Sequence, residues 1–270
     1  MLGPQVRRGT GVTLAPARRL GNDWRGSERE WRVDGWRVHE VAGEVRFRAV
    51  RPMPTLAPAL DAEVERLWQV AQAQMGGRLF NGRVFSADVI TPRLVCGHWT
   101  EFRRVVAQMR RPGLFPLLGV RPLAVGGVIV GPDGVVFGRR PADAVYQAGE
   151  WQLPPAGSVD ASAAGPEGAV DVLRQFFGEL GEELGLDAGA VSAPRLLCIV
   201  EHPGSRVLDL GVAVTTGLSA AAIRAAHAAG GNGEYGALEV VPVAEVPAFL
   251  RRAGGALNGQ AEVFLARALG

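Results

Sequence analysis

An α/β (α+β) fold is predicted for this chain on three observations. Short apolar runs bounded by Gly and Pro, 126–130 and 135–140 around the turn 131–134, have the pattern of a β-hairpin. Residues 60–74 and 172–186 instead repeat apolar residues at the helical period. The length of 270 residues, 47% of them hydrophobic, allows a sizeable core and a second small unit.

Taken in order, residues 1–35 are rich in Gly and Arg without an apolar run, so a flexible arm with no targeting segment is expected. Residues 36–50 alternate enough for one or two strands, and 60–74 form a helix closed by Gly77. A strand over 83–90 and a helix over 99–109 follow, the latter broken by Arg110-Arg-Pro-Gly113. Residues 36–119 are therefore read as a small N-terminal α/β unit, and 120–270 as the second domain. That domain holds the hairpin, an apolar segment 151–157 ending in a Pro/Gly turn, the helix 172–186, a hairpin near 199–209, and a strand leading into a short helix over 243–252.

The helix 172–186 carries the chemistry. Glu179, Glu182 and Glu183 stand at i, i+3 and i+4, on one face, while Leu173, Phe176, Phe177, Leu180 and Leu184 supply an apolar stripe. Three carboxylates within one turn repel each other unless solvated or bridged by a cation, and a hard divalent ion takes oxygen ligands together with substrate phosphates. The carboxylates are accordingly expected to be exposed.

Strand, hairpin, Pro-Gly loop and acidic helix closing on Gly185 together resemble the Nudix hydrolases. Glu179-Leu-Gly-Glu-Glu-Leu-Gly-Leu186 is similar to the second half of the family's box, and Leu153-Pro-Pro-Ala-Gly157 to its entrance. The first half departs: Gly157 to Glu179 is seven residues longer than the family spacing, Gly178 stands where the box has arginine, and Val170 where it has a glutamate. Residues 161–167 read as an insertion, with Pro166 near the start of a lengthened helix, and Arg174 is a candidate substitute for the arginine. The altered box and the entry 80–85 are similar to the subgroup that cleaves UDP-glucose and UDP-galactose.

The resemblance implies a mixed sheet sandwiched between helices, and Mg²⁺, with Mn²⁺ as a substitute, held by Glu179, Glu182 and Glu183. It implies hydrolysis of a nucleoside diphosphate linked to another moiety, a UDP-sugar going to UMP and sugar 1-phosphate. The alternative is a Nudix pyrophosphatase for ADP-ribose, a dinucleotide or coenzyme A, or a non-catalytic nucleotide-binding protein of this family. A further carboxylate is needed to activate water. Glu234, in the glycine-rich loop 231–236, is the expected one, with Glu201 and Asp209 as rivals. Arg139, Arg140 and His202 are candidate substrate contacts.

Composition narrows the partners. The formal charge is +2, with 29 basic residues, all arginine, interspersed among 27 acids, so no nucleic-acid footprint stands out. Four scattered histidines and two distant cysteines make neither a zinc site nor a disulfide framework. The apolar stretch 115–130 is interrupted by Arg121 and Pro122 and is too short to span a bilayer. A cytoplasmic protein acting on a small molecule is expected, with the N-terminal unit shaping the pocket or making a homodimer contact.

Overall fold

The computed structural model describes residues 35–144, 148–257 and 259–270. The expectation of a flexible arm lies, except for Gly35, outside these residues. The remainder belongs to one compact unit.

The elements run β1 (Arg37–Glu40), β2 (Arg46–Ala49), α1 (Pro58–Gln74), β3 (Arg83–Ile90), β4 (Leu94–Glu101), α2 (Phe102–Arg110), α3 (Phe115–Leu118), β5 (Leu123–Gly131), β6 (Gly134–Arg139), β7 (Trp151–Gln152) and β8 (Ala156–Ser158). They continue with α4 (Val172–Leu184), β9 (Arg195–Glu201), β10 (Leu208–Thr215), α5 (Ala220–Gly230), β11 (Ala237–Val241), α6 (Val246–Ala253) and α7 (Gln260–Leu269). Among the described residues two mixed sheets form. The larger has the order β1-β9-β10-β5-β6-β11, with β7 against β6 and β8 against β5; the smaller has the order β2-β4-β3. Only β10–β5 and β2–β4 are parallel.

Side chains alternate across the large sheet, so its two faces bury different partners. Val125, Ile129, Val136, Leu210 and Val212 pack with Phe176, Leu180 and Leu184 of α4. Val128, Val135, Phe137 and Val200 pack with Phe249 of α6 and Phe264 of α7. The sheet therefore lies between helices, as the sequence led us to expect.

The hairpin β5–β6 closes on Pro132 and Asp133, with Val130 opposite Val135. The expected strand over 36–50 divides into β1 and β2. β1 joins the large sheet beside β9, whereas β2 joins the small one. The small sheet turns Val84 toward Val64 and Leu67 of α1. Phe47, Phe85 and Val95 enter the core that holds α4. The expected helix over 99–109 needs correction: residues 94–101 are extended, because β4 pairs with both β2 and β3, and the helix begins only at Phe102.

No helix among the described residues is long and apolar enough to cross a membrane.

Candidate active site

Helix α4 begins where Asp171 accepts a hydrogen bond from the Arg174 N–H at 3.0 Å, and ends at Gly185, whose φ of 64° suits a left-handed cap. It starts at Val172, not near Pro166. The insertion before it makes two short 3-10 turns, at Ala161–Ala163 and Pro166–Gly168, instead of extending the helix from Pro166. Arg174 holds that insertion, donating to the carbonyls of Ser162 and Ala164 at 3.2 and 3.3 Å. These contacts correct its expected role: Glu179 is held by Gln175 instead, whose Nε2 donates to Oε1 at 2.8 Å.

The three glutamates occupy different environments. Glu182 is exposed and Glu179 half-buried, but Glu183 is only 2% exposed, against the expectation of three solvated carboxylates. Glu183 Oε2 accepts the backbone N–H of Ala156 at 2.9 Å, and the buried Tyr235, whose hydroxyl donates to Gln152 Oε1 at 3.5 Å, lies beside its carboxylate. Burial, opposed by the Ala156 hydrogen bond and reinforced by repulsion from Glu179, pushes Glu183 up to about 8. Burial likewise raises Glu179 to about 7, with Glu182 and Asp160 adding repulsion against the Gln175 hydrogen bond.

Gly157 makes this approach feasible. A Cβ there would lie 1.8 Å from Glu179 Oε1, so only glycine lets the carboxylate rest on β8. Gly178 is different: a Cβ there meets nothing within 4 Å. Replacing Gly178 by arginine should therefore stabilise the helix by up to ~1 kcal/mol, raising Tm by about 2–4 °C without loss of turnover. Thermal melts of the two proteins check this, and a lower Tm would mean the helix needs its glycine.

Glu234 lies in the loop next to the C-terminal turn of α4. The loop is fastened by the Asn232 N–H donating to the Glu182 carbonyl at 2.8 Å and by the Glu234 N–H donating to Asn232 Oδ1 at 2.9 Å. The Glu234 carboxylate is ion-paired with Arg140. Arg140 also lowers the pKa of Glu183 through its charge, so Glu183, Tyr235, Arg140 and Glu234 form one cluster. The Arg140 Nε is buried without a hydrogen-bond partner among the described residues. Arg139 is exposed, donates to the Gly149 carbonyl at 3.2 Å and stands 5.7 Å over the Trp151 ring.

The remaining candidates lie elsewhere. His202 accepts the N–H groups of Gly204 and Ser205, each at 3.0 Å, and meets Trp36 edge-on, which organises the β9–β10 turn. Glu201 is buried among His39 and Arg121, each 2.9 Å away, and Arg206 at 3.5 Å. Asp209, raised to about 7 by burial, alternates with the Leu208 and Leu210 side chains that face α4. It therefore faces away from Glu179 and Glu183.

The donor set suits a hard divalent cation: carboxylate oxygens of Glu179 and Glu183, charge-destabilised side by side, with exposed Glu182 one turn along. Among the described residues no three acidic, His or Cys side chains converge closely enough to enclose an ion. A cation here would thus depend on water and substrate oxygens to complete its shell, as Mg²⁺ commonly does.

No protein-family profile and no curated protein matches the chain. Its backbone is similar to several solved structures. DR0079 from Deinococcus radiodurans shares 16% identity at a TM-score of 0.40, over 55% of this chain and 83% of that one. A NUDIX-family hydrolase from Clostridium perfringens shares 16% at 0.35, over 55% and 96%. An ADP-ribose pyrophosphatase from Streptococcus suis shares 18% at 0.29, over 46% and 76%. The functional reading rests on the side chains of the site.

Proposed function

We propose that the chain is a Nudix-type pyrophosphohydrolase that uses Mg²⁺ to cleave a nucleoside diphosphate joined to another group, a UDP-sugar being the substrate of choice. The observation that carries this reading is the seating of Glu179 and Glu183 against the backbone of Ala156 and Gly157, where the absent side chain of Gly157 leaves room for a carboxylate. A diphosphate resists hydrolysis because its anionic oxygens repel a nucleophile, and neutralising that charge is the chemistry a bound Mg²⁺ supplies.

The chain's own residues would do the rest. Glu179, Glu182 and Glu183 would hold the cation, and Gln175 and the Ala156 N–H fix two of those carboxylates. Glu234, ion-paired with Arg140, accepts the proton of the attacking water. A new bond forms from water oxygen to phosphorus, the bridging P–O bond breaks, and the products are UMP and sugar 1-phosphate. Phe80, Arg83 and Phe102, from around the small sheet, line a pocket with Glu179. Two free cysteines, Cys96 and Cys198, accord with a reducing cytoplasm.

Hydrolysis of UDP-glucose with Mg²⁺ in ¹⁸O-water is expected to place the label in one phosphate of UMP or of the sugar phosphate. Mass spectrometry of the products decides it. Label in free glucose, with UDP as the co-product, would refute attack at phosphorus, and a parallel panel of ADP-ribose, dinucleotides and coenzyme A separates the substrates.

A further inference from the structure

Beside Glu179 opens a pocket of about 310 Å³, lined by Phe80, Arg83, Phe102, Ser158 and Asp160 among others. It is built where the small sheet meets β8: the Phe85 N–H donates to the Val159 carbonyl at 2.8 Å, and Val84 bridges Asp160. Its volume lies at the lower end of the roughly 300–1,000 Å³ common for small-molecule sites, enough for one compact moiety.

Phe80 is 84% exposed, yet its mount is fixed. Gln72 hydrogen-bonds both the N–H and the carbonyl of Leu79, at 3.1 and 2.7 Å. Asn81 Oδ1 accepts the Arg103 N–H at 2.8 Å, and the Gly82 carbonyl accepts the Phe102 N–H at 2.9 Å. An aromatic ring is thus held out to water on a loop tied at both ends. Arg83, on the same wall, makes no side-chain hydrogen bond or ion pair among the described residues. A planar aromatic face, an unpaired guanidinium and the acceptors Ser158 and Asp160 match a heteroaromatic ring with polar edges attached to an anion. An apolar peptide would bury the exposed Arg83 guanidinium without a partner.

We propose that this pocket is the nucleobase site: the base stacks on Phe80, and Arg83 supplies positive charge toward the adjoining phosphate. The inference rests on the pyrophosphohydrolase reading, because Glu179, which lines the pocket, would place the diphosphate beside it. It makes the small N-terminal sheet the source of substrate selectivity, while α4 supplies the reacting end.

Calorimetric titration of the full chain in Mg²⁺ with two non-hydrolysable probes, α,β-methylene-UDP and methylenediphosphonate, tests it. The nucleoside probe should bind at least about ten-fold more tightly than the bare diphosphonate. Phe80→Ala should weaken the nucleoside probe by about ten-fold and leave methylenediphosphonate unchanged; Phe80→Trp should restore the affinity. Tm should not move, since Phe80 is exposed. Equal weakening of both probes, or unchanged binding of the nucleoside probe, overturns the base site alone. Failure of the unmodified chain to bind methylenediphosphonate overturns the pyrophosphohydrolase reading and the base site with it.

Discussion

Glu183→Gln is expected to lower turnover of a nucleoside diphosphate substrate by roughly 10²–10⁴-fold with the fold intact. The amide oxygen of glutamine can still accept the Ala156 N–H now taken by Glu183 Oε2 at 2.9 Å, so the anchor to β8 survives. What is lost is a negative charge in a nearly dry position. A cation in such a site is worth several kcal/mol of transition-state stabilisation, and each ~1.4 kcal/mol is a factor of ten in rate. Because burial pushes Glu183 up to about 8, its carboxyl is largely protonated at neutral pH without metal, and glutamine replaces it with no change of charge, so the metal-free protein should melt no lower than before. Mg²⁺ should raise Tm for the unmodified chain and not for the variant. Steady-state kinetics and melting with and without Mg²⁺ check both halves. Full activity in the variant would remove Glu183 from the metal set.

Glu201→Ala is expected to cost about 3–5 kcal/mol of stability while leaving the catalytic cluster in place, because it strands Arg121, His39 and Arg206 around an empty acceptor. Burial alone would raise the Glu201 pKa, but the His39 hydrogen bond and the Arg121 guanidinium outweigh it and hold the carboxyl at about 2, against 4.5 when free. Because the folded value is depressed, the stabilisation is complete above pH ~4.5 and is lost as pH falls toward 2. At ~1.4 kcal/mol per pH unit the loss is about 3 kcal/mol. Denaturant unfolding between pH 7 and 3 should show this decline in the unmodified chain and a shallower one in the variant. Equal slopes would mean that the pairs contribute little.

Local patterns were legible in sequence, and pairings across the chain were not. The β5–β6 hairpin and α4 announced themselves through turn chemistry and the helical period. β4 did not, because its extended residues 99–101 run without a break into α2, and the partners that hold them straight lie far along the chain. Helix α5 carries little amphipathic signal, with Ile223 as its buried residue. Ser219, which caps it by accepting the Ala222 N–H, was the available cue.

The site divides in the same way. The spacing of Glu179, Glu182 and Glu183 marked the acidic face, but the burial of Glu183 comes from Ala156 and Tyr235, which only the tertiary fold brings near. Gln175, four residues before Glu179, stands at the i,i+4 spacing of a helical partner and was a readable cue. Phe80 and Arg83 stood out in sequence only as part of the entry 80–85, and the pocket that they line with Asp160 is formed only by the tertiary fold.

β1 has a consequence for how the protein is made. His39 in β1 and Glu201 in β9 are 162 residues apart, yet their strands are neighbours in the large sheet. At roughly 5–20 residues per second of synthesis, β1 leaves the ribosome about 8–30 s before its partner exists. Throughout that interval it is an unpaired strand among other nascent chains, and Arg37, His39 and Glu40, charged or polar in a strand of four, keep it from pairing with strangers.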